Sequence, residues 1–119
     1  MYTYNCKILN VVDGDTLDIE IDLGFTVRIK ERVRLMGIDT PEVFGKDAEP
    51  AGQIASQFTK DWVDNHQTLR GSFIYESVKY NAKDKYGRSL GNLVWVDATG
   101  NRQVLNEQLL AAGQAKKYT

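Results

Sequence analysis

Residues 16–22 alternate strictly between apolar and polar side chains. Leu17, Ile19 and Ile21 fall on one side, Asp18, Glu20 and Asp22 on the other. A period of two predicts a strand with one face in a core. Residues 4–12 read as a preceding strand that ends at the Asp13-Gly14 turn. Residues 25–36 continue the alternation after Leu23-Gly24. Phe25, Val27, Ile29, Val33 and Leu35 share the apolar face; Thr26, Arg28, Lys30, Arg32 and Arg34 share the other. Glu31 falls on the apolar phase, which predicts a bend or bulge there. A long bent strand is what a small closed barrel requires.

The period then changes. Residues 43–49 read as a loop, and Pro50 suits the first turn of a helix. Ala51, Ile54, Ala55, Phe58 and Trp62 follow at helical spacing, a stripe running to about Asn65. Residues 68–80 alternate around Leu69, Phe73 and Tyr75, residues 81–88 are polar and turn-like, and residues 89–96 are apolar on both faces, as in a central strand. After a turn at 98–101, Val104, Leu105, Leu109 and Ala112 predict a second helix capped by Gly113. Three strands, a helix, two strands and a helix make a mainly β, α+β pattern. It predicts a five-stranded OB-fold barrel with two helices, in a single domain over residues 1–119.

Composition narrows the chemistry. A chain of 119 residues with 42% hydrophobic content can bury a core. No apolar run approaches the roughly 20 residues of a membrane span. The N-terminus lacks a basic and an apolar signal region, so the expected location is the cytoplasm. The short unsecreted form also suggests a phage origin. Cys6 is the only cysteine, which excludes an internal disulfide and a thiolate zinc site in a monomer. His66 is the only histidine, so a Ser-His-Asp triad has little to build on. The net charge of −1 argues mildly against a nucleic-acid binder, although a local positive site or a bound cation is compatible with it.

What remains is a set of carboxylates and arginines at turns. Asp15 lies in Val12-Asp13-Gly14-Asp15-Thr16. Arg34 precedes Gly37-Ile38-Asp39-Thr40-Pro41-Glu42, and Arg88 closes Asp84-Lys85-Tyr86-Gly87-Arg88. Carboxylates bind hard cations and position water; guanidinium forks bind phosphate oxygens. Those are the parts needed to cut a phosphodiester. Each motif alone reads more simply as a turn, a cap or a solvated charge, and Asp13 reads as a brace of its turn. Arg28, Lys30 and Arg32 read as solvent-facing, with phosphate steering the minor alternative. Lys116 and Lys117 read as a solvated tail.

These three motifs, in this order, resemble those of the staphylococcal-nuclease-like (thermonuclease) family, and the resemblance extends to Leu105-Asn106-Glu107 and Ala112-Gly113-Gln114-Ala115. It implies a calcium-dependent OB-fold endonuclease acting on DNA or RNA and leaving 3′-phosphates, with magnesium or manganese less suited. It implies that Asp15, Asp39 and the Thr40 carbonyl hold the cation, that Glu42 positions or deprotonates the attacking water, and that Arg34 and Arg88 bind phosphate. Lys85, Tyr86 and Tyr118 become candidate substrate contacts, a structural tyrosine being an equal reading of Tyr86. The chain stops at Thr119, so the third, C-terminal helix of the best-known member is not expected. The expected partner is nucleic acid, with no membrane, and the expected state is a monomer or a dimer. The alternatives are an inactive OB-fold module that binds nucleic acid and a protein-interaction domain.

Overall fold

A computed structural model describes residues 2–42, 50–77 and 87–118. Strands β1 (Tyr2–Asp13), β2 (Thr16–Asp22) and β3 (Arg28–Leu35) form an antiparallel meander, and β4 (Ile38–Asp39) follows at once. Helix α1 (Pro50–Gln67) leads to β5 (Gly71–Ser77) and β6 (Ser89–Asp97). The chain ends with β7 (Arg102–Val104), helix α2 (Leu105–Ala111) and β8 (Lys116–Lys117). The main sheet runs β3-β2-β1-β5-β6-β7, and β3 returns to pair in parallel with β6, Val33–Leu35 against Ser89–Gly91. β1, β2, β3, β5 and β6 therefore close into a barrel, as the alternation predicts.

The barrel holds Leu17, Ile19, Val33, Leu35, Leu93 and Trp95, with Leu105 and Leu109 of α2 in the same core. The sheet bends at β1, where the register slips between Ile8 and Asn10 and between Val11 and Asp13. The bulge expected at Glu31 does not form. The ladder runs unbroken from Thr16–Arg34 to Asp22–Arg28, with Glu31 half-buried opposite Ile19 and Ser89 Oγ donating to its carboxylate at 3.4 Å.

The third strand starts later than its alternation predicts. Gly24, Phe25 and Thr26 all have positive φ (80°, 54° and 64°) and make the β2–β3 turn, closed by Leu23 N–H to the Val27 carbonyl at 2.9 Å. The apolar phase thus runs past the end of the barrel, and Phe25 is 98% exposed. On the other face, Asp18, Glu20 and Asp22 stand opposite Arg32, Lys30 and Arg28. Arg32 meets Asp18 at 2.8 Å and Arg28 comes within 3.9 Å of Glu20. The basic stripe of β3 is thus a cross-strand charge ladder, matched by acids and poorly suited to steering phosphate.

Helix α1 keeps Ala55, Phe58 and Trp62 of the predicted stripe against the core but leaves the stripe's first two residues outside. Ile54 is 60% exposed and Ala51 is exposed, whereas Gly52, Ala55, Ser56, Thr59, Trp62 and Val63 are buried. The reason is the partner. This helix lies on the turns that carry the motifs, where small and hydrogen-bonding side chains are needed. Among the described residues, no helix is long and apolar enough to cross a membrane.

Candidate active site

The β1–β2 turn carries Asp15, which is only 5% exposed. Its backbone is held on two sides: Thr59 Oγ1 of α1 donates to the Gly14 carbonyl at 2.7 Å, and Leu35 N–H donates to the Asp15 carbonyl at 2.8 Å. Gly14 allows the close approach of Ala55 and Thr40, each 3.0 Å from where a Cβ would stand. The carboxylate accepts from Thr16 Oγ1 and from the Thr40 backbone N–H, both at 3.0 Å. Motifs 25 residues apart are therefore joined by a buried hydrogen bond.

Arg34 sits between the carboxylates. Its Nη1 lies 3.2 Å from Asp15 Oδ2, and its Nη2 lies 3.1 Å from Asp39 Oδ1. Nη1 also donates to the Leu35 and Ile38 carbonyls, each at 2.9 Å. These backbone bonds fix the guanidinium, and the guanidinium fixes Asp15 and Asp39 relative to each other. Tyr118 lies over it, with Cζ 5.8 Å from the ring centroid. Arg88 is half-buried and reaches Thr16 Oγ1 at 3.5 Å.

These side chains line one cleft of about 430 Å³, bounded by Asp13, Asp15, Arg34, Asp39, Glu42, Arg88, Leu90 and Tyr118. Glu42 is exposed at its rim. The structure thus brings Asp15, Arg34, Asp39, Thr40, Glu42, Arg88 and Tyr118 together; Lys85 and Tyr86 lie outside the described residues. Asp13 also faces the cleft. Burial, with the neighbouring Asp15 adding to it, pushes its carboxyl up to about 7. His66 stays elsewhere, donating from Nδ1 to the Trp62 carbonyl at 2.6 Å between the rings of Trp62 and Trp95.

Sequence patterns gave no sign of Gly52 or Thr59, and marked Asn106 only as part of a matching segment with no role attached. Gly52 of α1 packs on the Pro41–Glu42 backbone, where a Cβ would come within 2.1 Å of the Glu42 carbonyl oxygen. Thr59 holds the Asp15 turn. Asn106 is buried in α2; its Nδ2 donates to the Met36 carbonyl at 2.9 Å, and its Oδ1 accepts from Leu93 N–H at 3.3 Å. Each acts on a partner distant in sequence. The C-terminal residues are likewise more than a tail. Gly113 (φ 73°) and Gln114 donate to the Leu110 and Leu109 carbonyls at 3.1 and 2.9 Å, a Schellman exit from α2. The exit sends β8 back to pair with β4, Lys117 opposite Ile38 and Lys116 opposite Asp39.

The staphylococcal nuclease homologue family matches residues 32–119. The chain belongs to that family. The matched span holds Arg34, Asp39, Glu42 and Arg88. This staphylococcal nuclease homologue is 32% identical over 112 residues to a thermonuclease of Staphylococcus hyicus, covering 92% of this chain and 57% of that protein. It is 37% identical over 111 residues to a thermonuclease of Staphylococcus intermedius, covering 92% and 56%. An endonuclease of Bacillus subtilis is 31% identical over 117 residues, 97% of this chain and 9% of that protein. The chain spans somewhat over half the length of the thermonucleases it matches.

The donor set of this family member suits a hard cation. Asp15 and Asp39 converge on one guanidinium, and the Thr40 backbone is bonded to Asp15. Two buried oxygens beside them, Asp13 Oδ1 and Thr40 Oγ1, have no hydrogen-bond partner. All these donors are oxygens, the ligands calcium and magnesium take. Among the described residues, no group of three or more His, Cys, Asp or Glu is gathered tightly enough to hold an ion by side chains alone, so backbone oxygens and water would complete the shell.

Proposed function

We propose that this chain is a metal-dependent endonuclease that hydrolyses phosphodiester bonds in DNA or RNA. The observation that carries it is the joining of Asp15, Arg34, Asp39 and Thr40 by hydrogen bonds and ion pairs at one cleft, with Glu42 and Arg88 on its walls. Thermonucleases and endonucleases among its relatives support the same reading.

In this reading Asp15, Asp39 and the Thr40 carbonyl would hold the cation. Calcium is the preferred ion, because a few fixed oxygens with room for water suit its irregular shell better than magnesium's strict octahedron. When bound, it reduces the charge of the phosphodiester and acidifies a nearby water. Glu42, at the rim, orients the attacking water in line with the scissile bond and accepts its proton. Arg88 binds the phosphate oxygens and stabilises the added charge of the transition state. Arg34 has its Nη1 committed to backbone carbonyls, so it sets the carboxylates first and offers its remaining N–H groups to phosphate. The bond to the 5′ oxygen breaks, that oxygen takes a proton from solvent, and a 3′-phosphate remains.

End-group analysis tests the chemistry. Products of a single-stranded DNA digest should be extended by a polymerase only after phosphatase treatment. Products extended without it would contradict the assigned bond, and no products would contradict the nuclease reading.

A further inference from the structure

A second cleft, of about 380 Å³, adjoins the first, and its far wall has no role in the chemistry above. It lies between Thr40–Glu42 and the exit from α2, Gly113–Lys116, and Asp39 and Glu42 line both clefts. We propose that this second cleft receives the nucleotide on the other side of the scissile bond, with Lys116 contacting its phosphate and Gln114 facing its base or sugar. The proposal rests on the nuclease reading and extends it from one nucleotide to a strand.

Position is the first argument. A phosphate attacked at the wall shared by two clefts has one neighbouring nucleotide toward each. An enzyme that cuts within a strand needs both spaces, and the second cleft falls in the range of small-ligand pockets, about 300–1,000 Å³. Charge is the second. β4 and β8 place Lys116 opposite Asp39, and opposed residues of an antiparallel ladder project to the same side, with Cα atoms about 4.5–5.5 Å apart. Yet Asp39 pairs with Arg34, and Lys116 makes no ion pair among the described residues. The exposed Lys116 thus lies on the same side of the strand pair as Asp39, with no carboxylate among the described residues neutralising its charge. The third argument is construction. The Schellman exit at Gly113 and Gln114 fixes the far wall of the cleft and delivers Lys116 to it, whereas a solvated tail would hold no such place.

The test uses the calcium-loaded Glu42→Gln protein, which retains the shape of both clefts without the catalytic carboxylate. It is titrated with a nucleoside 5′-monophosphate and with a short single-stranded oligonucleotide, then again with Lys116→Gln or Gln114→Trp added. Lys116→Gln should leave the monophosphate affinity unchanged and weaken the oligonucleotide about tenfold. It should also reduce the log–log salt slope of oligonucleotide binding by about 0.7, the loss of one phosphate contact. Gln114→Trp, which fills the cleft, should weaken the oligonucleotide alone. Unchanged oligonucleotide binding in both variants, or equal loss of both ligands, overturns the proposal. If the Glu42→Gln protein binds neither ligand, the nuclease reading itself falls and takes the proposal with it.

Discussion

Arg34 touches both carboxylates and two backbone carbonyls from one guanidinium, and a lysine would keep the charge while losing that geometry. Arg34→Lys should reduce cleavage by about 10²–10³ and weaken calcium binding as Asp15 and Asp39 lose their common brace. Terbium luminescence reads the second effect without any substrate. Cys6 is the opposite kind of residue: burial raises its thiol to about 12. At pH 8 the native protein should therefore resist iodoacetamide and become reactive only on unfolding, which mass spectrometry can follow; fast alkylation of the folded chain would contradict the packing. The motif residues were legible in the sequence because each sits in a compact turn pattern that chemistry explains. Gly52 and Thr59 were not, and Asn106 was legible only as part of a motif and not in its role, because what they touch lies far along the chain.

Helix α1 shows what periodicity can miss. Ala55, Phe58 and Trp62 of its hydrophobic stripe face the core as expected, but Ala51 and Ile54 do not, and Gly52, Ser56 and Thr59 are buried beside the stripe. Gly52→Ala should therefore displace the Glu42 backbone, lowering kcat and also lowering stability despite alanine's better helix propensity; full activity in this variant would contradict the contact. Asn106→Leu leaves the Met36 carbonyl and Leu93 N–H without their side-chain partner and should cost about 1–3 kcal/mol in a denaturant titration. The β2–β3 ladder gives a pH signature. Arg32 holds the Asp18 carboxyl below its usual range. The pair's stabilisation is therefore present above the unfolded value near 3.9 and is lost as pH falls through the lower folded value. Since the pair is largely exposed, Asp18→Asn should cost at most about 1 kcal/mol near neutrality and nothing at the acid end. The strand boundaries departed from the alternation in two places: the hairpin turn took Phe25 and Thr26 into left-handed backbone, and β5 starts only at Gly71, leaving Leu69 exposed in the turn after α1.

At the scale of the molecule, barrel closure is what makes distant motifs one site. The parallel β3–β6 pair brings Arg34 opposite Leu90, two residues from Arg88, and the hydrogen bond from Thr40 to Asp15 draws β4 onto the β1–β2 turn. The order of elements made that closure legible; the short strands β4, β7 and β8 were not, since two or three residues carry no period. The acidic net charge also hides a local distribution: Arg28 and Arg32 of β3 face acids of β2, while Arg34, Arg88 and Lys116 line the two clefts. The most direct test of the account is cleavage of end-labelled single-stranded DNA with calcium, with magnesium and with EDTA, run beside Glu42→Ala and Arg88→Ala. Calcium should support cutting best, EDTA should abolish it, and each substitution should lower it by about 10²–10³ while the fold is retained. Cutting that persists at full rate in both variants, or a folded wild-type chain that cuts with neither metal, would contradict the account.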